Sequence, residues 1–163
     1  MLPLVLSAFP ARAQTDPKSP ASTRKETAKL LHATGSFEVK IDPQPPDEKS
    51  GGAAVGRMLL EKQFHGDLEA TSKGTMLAAG TGAKGSSGGY VALEVVSGSL
   101  KGHAGTFVLQ HTGIMDHGTP SLSVTVVPDS GTGQLVGLAG KMNINIVDGK
   151  HTYDFEFTLP ENP

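Results

Sequence analysis

The chain has 163 residues, one domain's worth and enough to bury a single core of ordinary size. Its 21 glycines and 18% charged residues favour turns and strands over long solvated helices, because both depart from globular averages in that direction. A net charge of -2 supplies no electrostatic footprint for nucleic acid, the absence of cysteine excludes disulfides, thiol nucleophiles and thiolate metal sites, and no apolar run approaches the roughly 20 residues a membrane-spanning helix needs.

Residues 2–9 form a short apolar run, and Ala11-Arg12-Ala13 follows in the small-x-small pattern that signal peptidase accepts. The pattern predicts a signal peptide over residues 1–13, cleavage before Gln14, and a secreted or periplasmic protein. Residues 14–32 are polar and read as a tether. Within it, Thr23 and Glu26 are spaced as a capping box, which predicts a short helix over residues 24–32.

From Ala33 onward apolar residues alternate at period two, interrupted by Gly, Pro and Asp too often for helices. The alternation predicts eight strands, near 34–41, 56–64, 67–78, 88–100, 103–114, 120–128, 139–147 and 150–159, in one domain over residues 33–160. The proline-rich stretch 43–52 cannot enter a central strand and reads as a surface loop. A second loop, 80–89, contains the literal spacing Gly80-x-Gly82-x-x-Gly85. Its context rejects dinucleotide binding, because Tyr90 to Val96 continue as a β-branched strand where the nucleotide fingerprint needs a helix.

Turn chemistry assigns the faces. Asp148-Gly149 as a two-residue turn pairs Val147 with Lys150, Ile144 with Tyr153 and Met142 with Phe155, apolar against apolar. Lys101-Gly102 pairs Leu100 with His103, Val96 with Phe107 and Glu94 with Leu109. One face then gathers Tyr90, Ala92, Glu94 and Val96 with Phe107, Leu109 and His111, and the other carries Val91, Leu93, Val95 and Val108. An even-length loop near Asp116–Thr119 keeps His111 on the face of Leu122, Val124 and Val126. Eight sequential antiparallel strands avoid raw edges by closing into a barrel, the expected architecture, with an open two-sheet sandwich as the alternative.

The runs FEVKIDPQPPD, GRMLLEKQFHGDLEATSKGTML, GYVALEVVSGSLKGHAGTFVLQHTG and PSLSVTVVPDSGTGQLVGLAGKMNINIVDGKHTYDFEFTL together resemble a bacterial family of small uncharacterised proteins with an allene-oxide-cyclase-like barrel, over residues 34–159. Residues 129–135, ending in Leu138-Ala139-Gly140, also resemble the GTG turn of dirigent proteins and allene oxide cyclases. The resemblance implies an all-β, eight-stranded antiparallel barrel, allene-oxide-cyclase-like or calycin-like, that often self-associates. It brings no established reaction and no catalytic residues that align here.

Glu94 and His111 stand diagonally across neighbouring strands on the core face, close enough to touch. A buried acid needs a partner, so the two form either a polar anchor or general base beneath an apolar pocket, or a structural pair that fixes register. Tyr90, Leu109, Tyr153 and Phe155 share that face and complete the candidate ligand pocket. No metal is expected, since strand rise puts His103 and His117 at opposite ends of one hairpin, while His65 and His151 read as turn and rim residues. No cofactor is expected either, and the serines lack a nucleophile elbow. Lys62 and Glu69 face each other if His65-Gly66 is the loop, as an exposed pair of little weight. Binding of a small apolar or amphipathic molecule is the leading function, with oligomeric assembly, and isomerase or cyclase chemistry, as the alternatives. The outer strip of Val91, Leu93, Val95 and Val108 is the expected self-association surface.

Overall fold

A computed structural model describes residues 29–45, 55–80, 83 and 85–160. Eight strands follow one another: β1 (Leu31–Pro43), β2 (Val55–Gly66), β3 (Leu68–Gly80), β4 (Gly88–Leu100), β5 (His103–Asp116), β6 (Thr119–Val126), β7 (Ala139–Val147) and β8 (Lys150–Thr158). Each pairs antiparallel with its successor and β8 pairs with β1, so the sheet is a closed barrel rather than a sandwich. Among the described residues no helix is long and apolar enough to cross a membrane.

Three hairpins have the register that their turns dictate. Lys101-Gly102, His117-Gly118 and Asp148-Gly149 each place both residues at positive φ, the geometry whose twist matches a two-residue hairpin. Val96 therefore opposes Phe107, His111 opposes Val124, and Met142 opposes Phe155. The β2–β3 connection differs from the two-residue reading. Asp67 alone turns the chain: its backbone N–H donates to Thr34 O at 3.0 Å, its carboxylate accepts from Thr34 N at 3.0 Å, and its carbonyl accepts from Lys101 N at 2.7 Å. Phe64 consequently faces Ala70 and Lys62 faces Ser72. Lys62 and Glu69 are not partners, which corrects that expectation.

Both ends of the strand map differ from expectation for identifiable reasons. Leu31 and His32, expected to end a short helix, pair with Phe157 and Glu156 and open β1; the closing β1–β8 ladder overrides the local capping pattern. Lys29 and Leu30, in the same expected helix, belong to no helix or strand, and the remainder of it, with the tether before it and the signal peptide, lies outside the described residues. Val127 and Pro128, read as strand, have left β6. The connection over 127–138 instead runs beside β5, where Ala104, Thr106 and Val108 donate their N–H groups to Gln134 Oε1, Thr132 Oγ1 and Ser130 Oγ at 2.8, 3.0 and 3.0 Å. These side chains satisfy strand donors that β6 no longer reaches.

The same connection closes one end of the barrel. Its single 3₁₀ turn, Gly133–Leu135, drives Leu135 inward, and Leu135 and Leu138 are each 1% exposed. Behind them Phe107 stacks on Phe155 at 6.0 Å, and Phe157 packs tilted against Phe155 at 5.3 Å, with Leu68, Leu100, Leu109 and Val96 completing the core. Each such side chain contributes about 1.5–3 kcal/mol by leaving water. Among the described residues the opposite end, with the β3–β4, β5–β6 and β7–β8 connections, stays open. β6 and β7 share a single strand pair, Thr125 with Lys141, next to the 127–138 connection at the closed end.

Candidate functional site

Four polar side chains meet inside the wall of the barrel, each placed there by period-two geometry. Lys62 lies between Leu60 and Phe64 on the inward face of β2, Ser72 follows Ala70 on β3, Glu94 lies between Ala92 and Val96 on β4, and His111 follows Leu109 on β5. Lys62 Nζ stands 2.6 Å from Glu94 Oε2, and Ser72 donates its hydroxyl to Glu94 Oε1. His111 Nε2 approaches Glu94 Oε2 to 2.9 Å, off the line of a good hydrogen bond, so it is held by proximity to charge more than by alignment. The Lys62 ammonium also sits over the rings of Phe37 and Phe64, at 4.9 and 5.6 Å from their centroids, which adds cation–π attraction.

Glu94 is fully buried. Burial acts to raise its pKa, but His111, Lys62 and Ser72 together outweigh that effect and hold it at about 2. The carboxylate is therefore ionised at neutral pH and neutralised within the wall. Glu94 and His111 are brought together as expected from their register. Lys62 and Ser72 complete the cluster unforeseen. The alternation Leu60, Lys62, Phe64 carries the signal, and a two-residue turn at His65-Gly66 hides it by setting Lys62 opposite Glu69 instead of Ser72.

Above the cluster, the open end encloses a cavity of about 910 Å³. Tyr90 is in its wall, opposite Ala78 on β3 and Gly113 on β5. Met58, Met76 and Met115 bring flexible thioethers, side chains suited to irregular apolar partners. Leu122 of β6 and Ile146 of β7, from the two sides of the sparsely paired seam, also line the cavity. Burial raises the Tyr90 pKa, and the Glu94 charge raises it further.

The other expected pocket residues lie elsewhere. Leu109 and Phe155 are wholly buried at the closed end and Tyr153 is 3% exposed; they fill the axis and do not line the cavity. Tyr153 has a structural task, accepting from Leu68 N at 2.9 Å and donating to His65 O at 3.3 Å. Burial raises its pKa, opposed by the Leu68 bond and aided by the charges of Asp67 and Glu69. Glu94 and His111 sit below the cavity without lining it. His65 is half-exposed between Glu38 and Glu69, and His151 packs on Phe37 at 5.1 Å. Among the described residues no three His, Asp or Glu side chains are grouped to hold a metal ion.

Comparison with known proteins places this barrel. The family model described as a protein of unknown function, DUF3224, matches residues 33–157. The chain belongs to the DUF3224 family. A solved structure of a DUF3224 protein of unknown function from Shewanella oneidensis MR-1 is 48% identical, with a TM-score of 0.74, and the match covers 82% of this chain and 100% of that one. No curated protein matches. The DUF3224 assignment carries the barrel and no activity.

Proposed function

We propose that this protein binds a small apolar or amphipathic molecule in the open mouth of its barrel. The observation that supports this reading is the cavity itself: about 910 Å³, walled by methionine, leucine, isoleucine and one tyrosine, above a core that is filled. Pockets of roughly 300–1,000 Å³ with apolar walls and few polar groups are the usual form of small-molecule sites. Chemistry at Glu94 and His111 is not part of the proposal, since neither reaches the cavity. The likeness of residues 129–140 to allene oxide cyclases enters as a fold-level analogy only. The test is titration of the full chain with N-phenyl-1-naphthylamine, a neutral apolar fluorophore. Saturable one-to-one enhancement is expected, weakened at least about tenfold when Ala78→Trp fills the cavity, with far-UV circular dichroism unchanged. Linear, unsaturable enhancement, or equal affinity in the variant, overturns the reading.

A second reading, self-association, is favoured by the outer face of β4. Val91, Leu93 and Val95 are 52%, 56% and 53% exposed, and Leu77 stands directly opposite Val91 on β3. Val108, expected in the same strip, is only partly exposed. Sedimentation velocity is expected to find an oligomer that Leu93→Lys dissociates; a wild-type monomer at high concentration refutes it. Export is proposed on Ala11-Arg12-Ala13, and amino-terminal sequencing of protein from its host tests it, with an intact Met1 as the refuting result.

A further inference from the structure

The chemistry of the cavity wall restricts what it can hold. Among the described residues that line it, none is charged. Among those described residues an ion that gives up its hydration finds no opposite charge to replace it. The charged pair of the wall cluster, Lys62 and Glu94, is satisfied internally and does not line the cavity.

The polar side chains of the lining are equally telling. Ser86 donates its hydroxyl to Ala83 O at 2.7 Å, and Ser87 Oγ accepts from His117 N at 3.0 Å, so both already serve the loop and turn that form the rim. Ser121 is paired with Ile114, on the outward parity of β6. Tyr90 is different: it is inward-facing, only partly buried, and has no hydrogen-bond partner among the described residues. Its ring lies against Gly113, where a Cβ atom would come within 2.2 Å of a ring carbon. The absence of a side chain at 113 is thus what lets the ring rest on the β5 wall.

Building on the binding reading above, we propose that the ligand is an uncharged molecule with one accepting oxygen, an aliphatic ketone, ester or ether in chemical class, and that the Tyr90 hydroxyl donates to that oxygen. Burial and the Glu94 charge both favour the protonated phenol, which makes it a donor at neutral pH. A donor enclosed by apolar walls discriminates strongly against ligands that leave it unpaired.

The experiment displaces N-phenyl-1-naphthylamine from the full chain with four probes of equal chain length: 2-decanone, 1-decene, decanoate and decylammonium. The ketone is expected to displace at concentrations at least about tenfold below either ion. Tyr90→Phe is expected to weaken 2-decanone by about fivefold and leave 1-decene unchanged. Decanoate or decylammonium equal to the ketone overturns the uncharged ligand. A Tyr90→Phe variant that weakens ketone and alkene alike, or neither, overturns the Tyr90 donor. In these two cases the fluorophore still binds and the cavity reading stands. Failure of the fluorophore itself removes the cavity reading and this inference together. Retention of the far-UV spectrum by Tyr90→Phe keeps misfolding out of the comparison.

Discussion

Replacing Lys62 by methionine retains most of the apolar stem of the side chain and removes the ammonium that stands 2.6 Å from Glu94 Oε2. The wild-type magnitude follows from the carboxylate. A pKa brought from 4.5 to about 2 on folding corresponds to about 3 kcal/mol, at 1.36 kcal/mol per unit. Because the folded value is the lower one, this stability is fully present above pH 4.5 and is lost as pH falls toward 2. Without Lys62 the buried carboxylate is left with Ser72 and the poorly aligned His111, a loss of about 3–5 kcal/mol for a broken buried pair. Lys62→Met with Glu94→Gln removes both charges and is expected to recover at least about 2 kcal/mol of that. Urea titrations followed by circular dichroism at pH 7 and pH 3 measure wild type, Lys62→Met, Glu94→Gln and the double variant. Wild type is expected to weaken between the two pH values more than Lys62→Met does. A Lys62→Met cost under about 1 kcal/mol that adds simply to that of Glu94→Gln is the signature of a solvated pair, and it would refute the cluster.

Tyr153→Phe removes the acceptor of the buried Leu68 N–H and should cost about 1–3 kcal/mol in the same assay; a cost near zero would show that another acceptor takes its place. Asp67, held below the usual carboxylate range first by the Thr34 N–H and then by Lys101, ties three strands together at one turn. Asp67→Ala is expected to speed amide exchange at Thr34 while Val96 stays protected, and unchanged exchange at Thr34 would count against that role.

The parts of the fold set by local chemistry were legible. Asp148-Gly149 and Lys101-Gly102 fix their registers through positive φ at both turn residues, and from those registers Glu94 and His111 fall on one face. Lys62 was legible in its alternation with Leu60 and Phe64 but was lost to the wrong turn. Asp67 turns the chain alone only because Thr34 and Lys101, distant in sequence, bind it. The start of β1 at Leu31 depends on β8, more than a hundred residues away, and no local pattern reports that pairing. Tyr153 and Phe155 share the inward face with Tyr90, yet their depth in the barrel separates a packed axis from an open mouth. Depth follows from closure and strand tilt, which period-two alternation does not encode. Gly56, Gly88, Gly89 and Gly113 also line the cavity, and at Gly113 the missing side chain makes room for the Tyr90 ring.

The methionines give the most direct test of a ligand seated in that space. Met58, Met76 and Met115 line the cavity, whereas Met142 is 3% exposed in the filled core. Carbon-13 methyl spectra of the full chain, titrated with 2-decanone, are expected to move the resonances of Met58, Met76 and Met115 along one saturable curve while Met142 stays in place. Movement of Met142 with the three mouth methionines unchanged, or no saturable movement at any of them, would contradict a binding site in the mouth of the barrel.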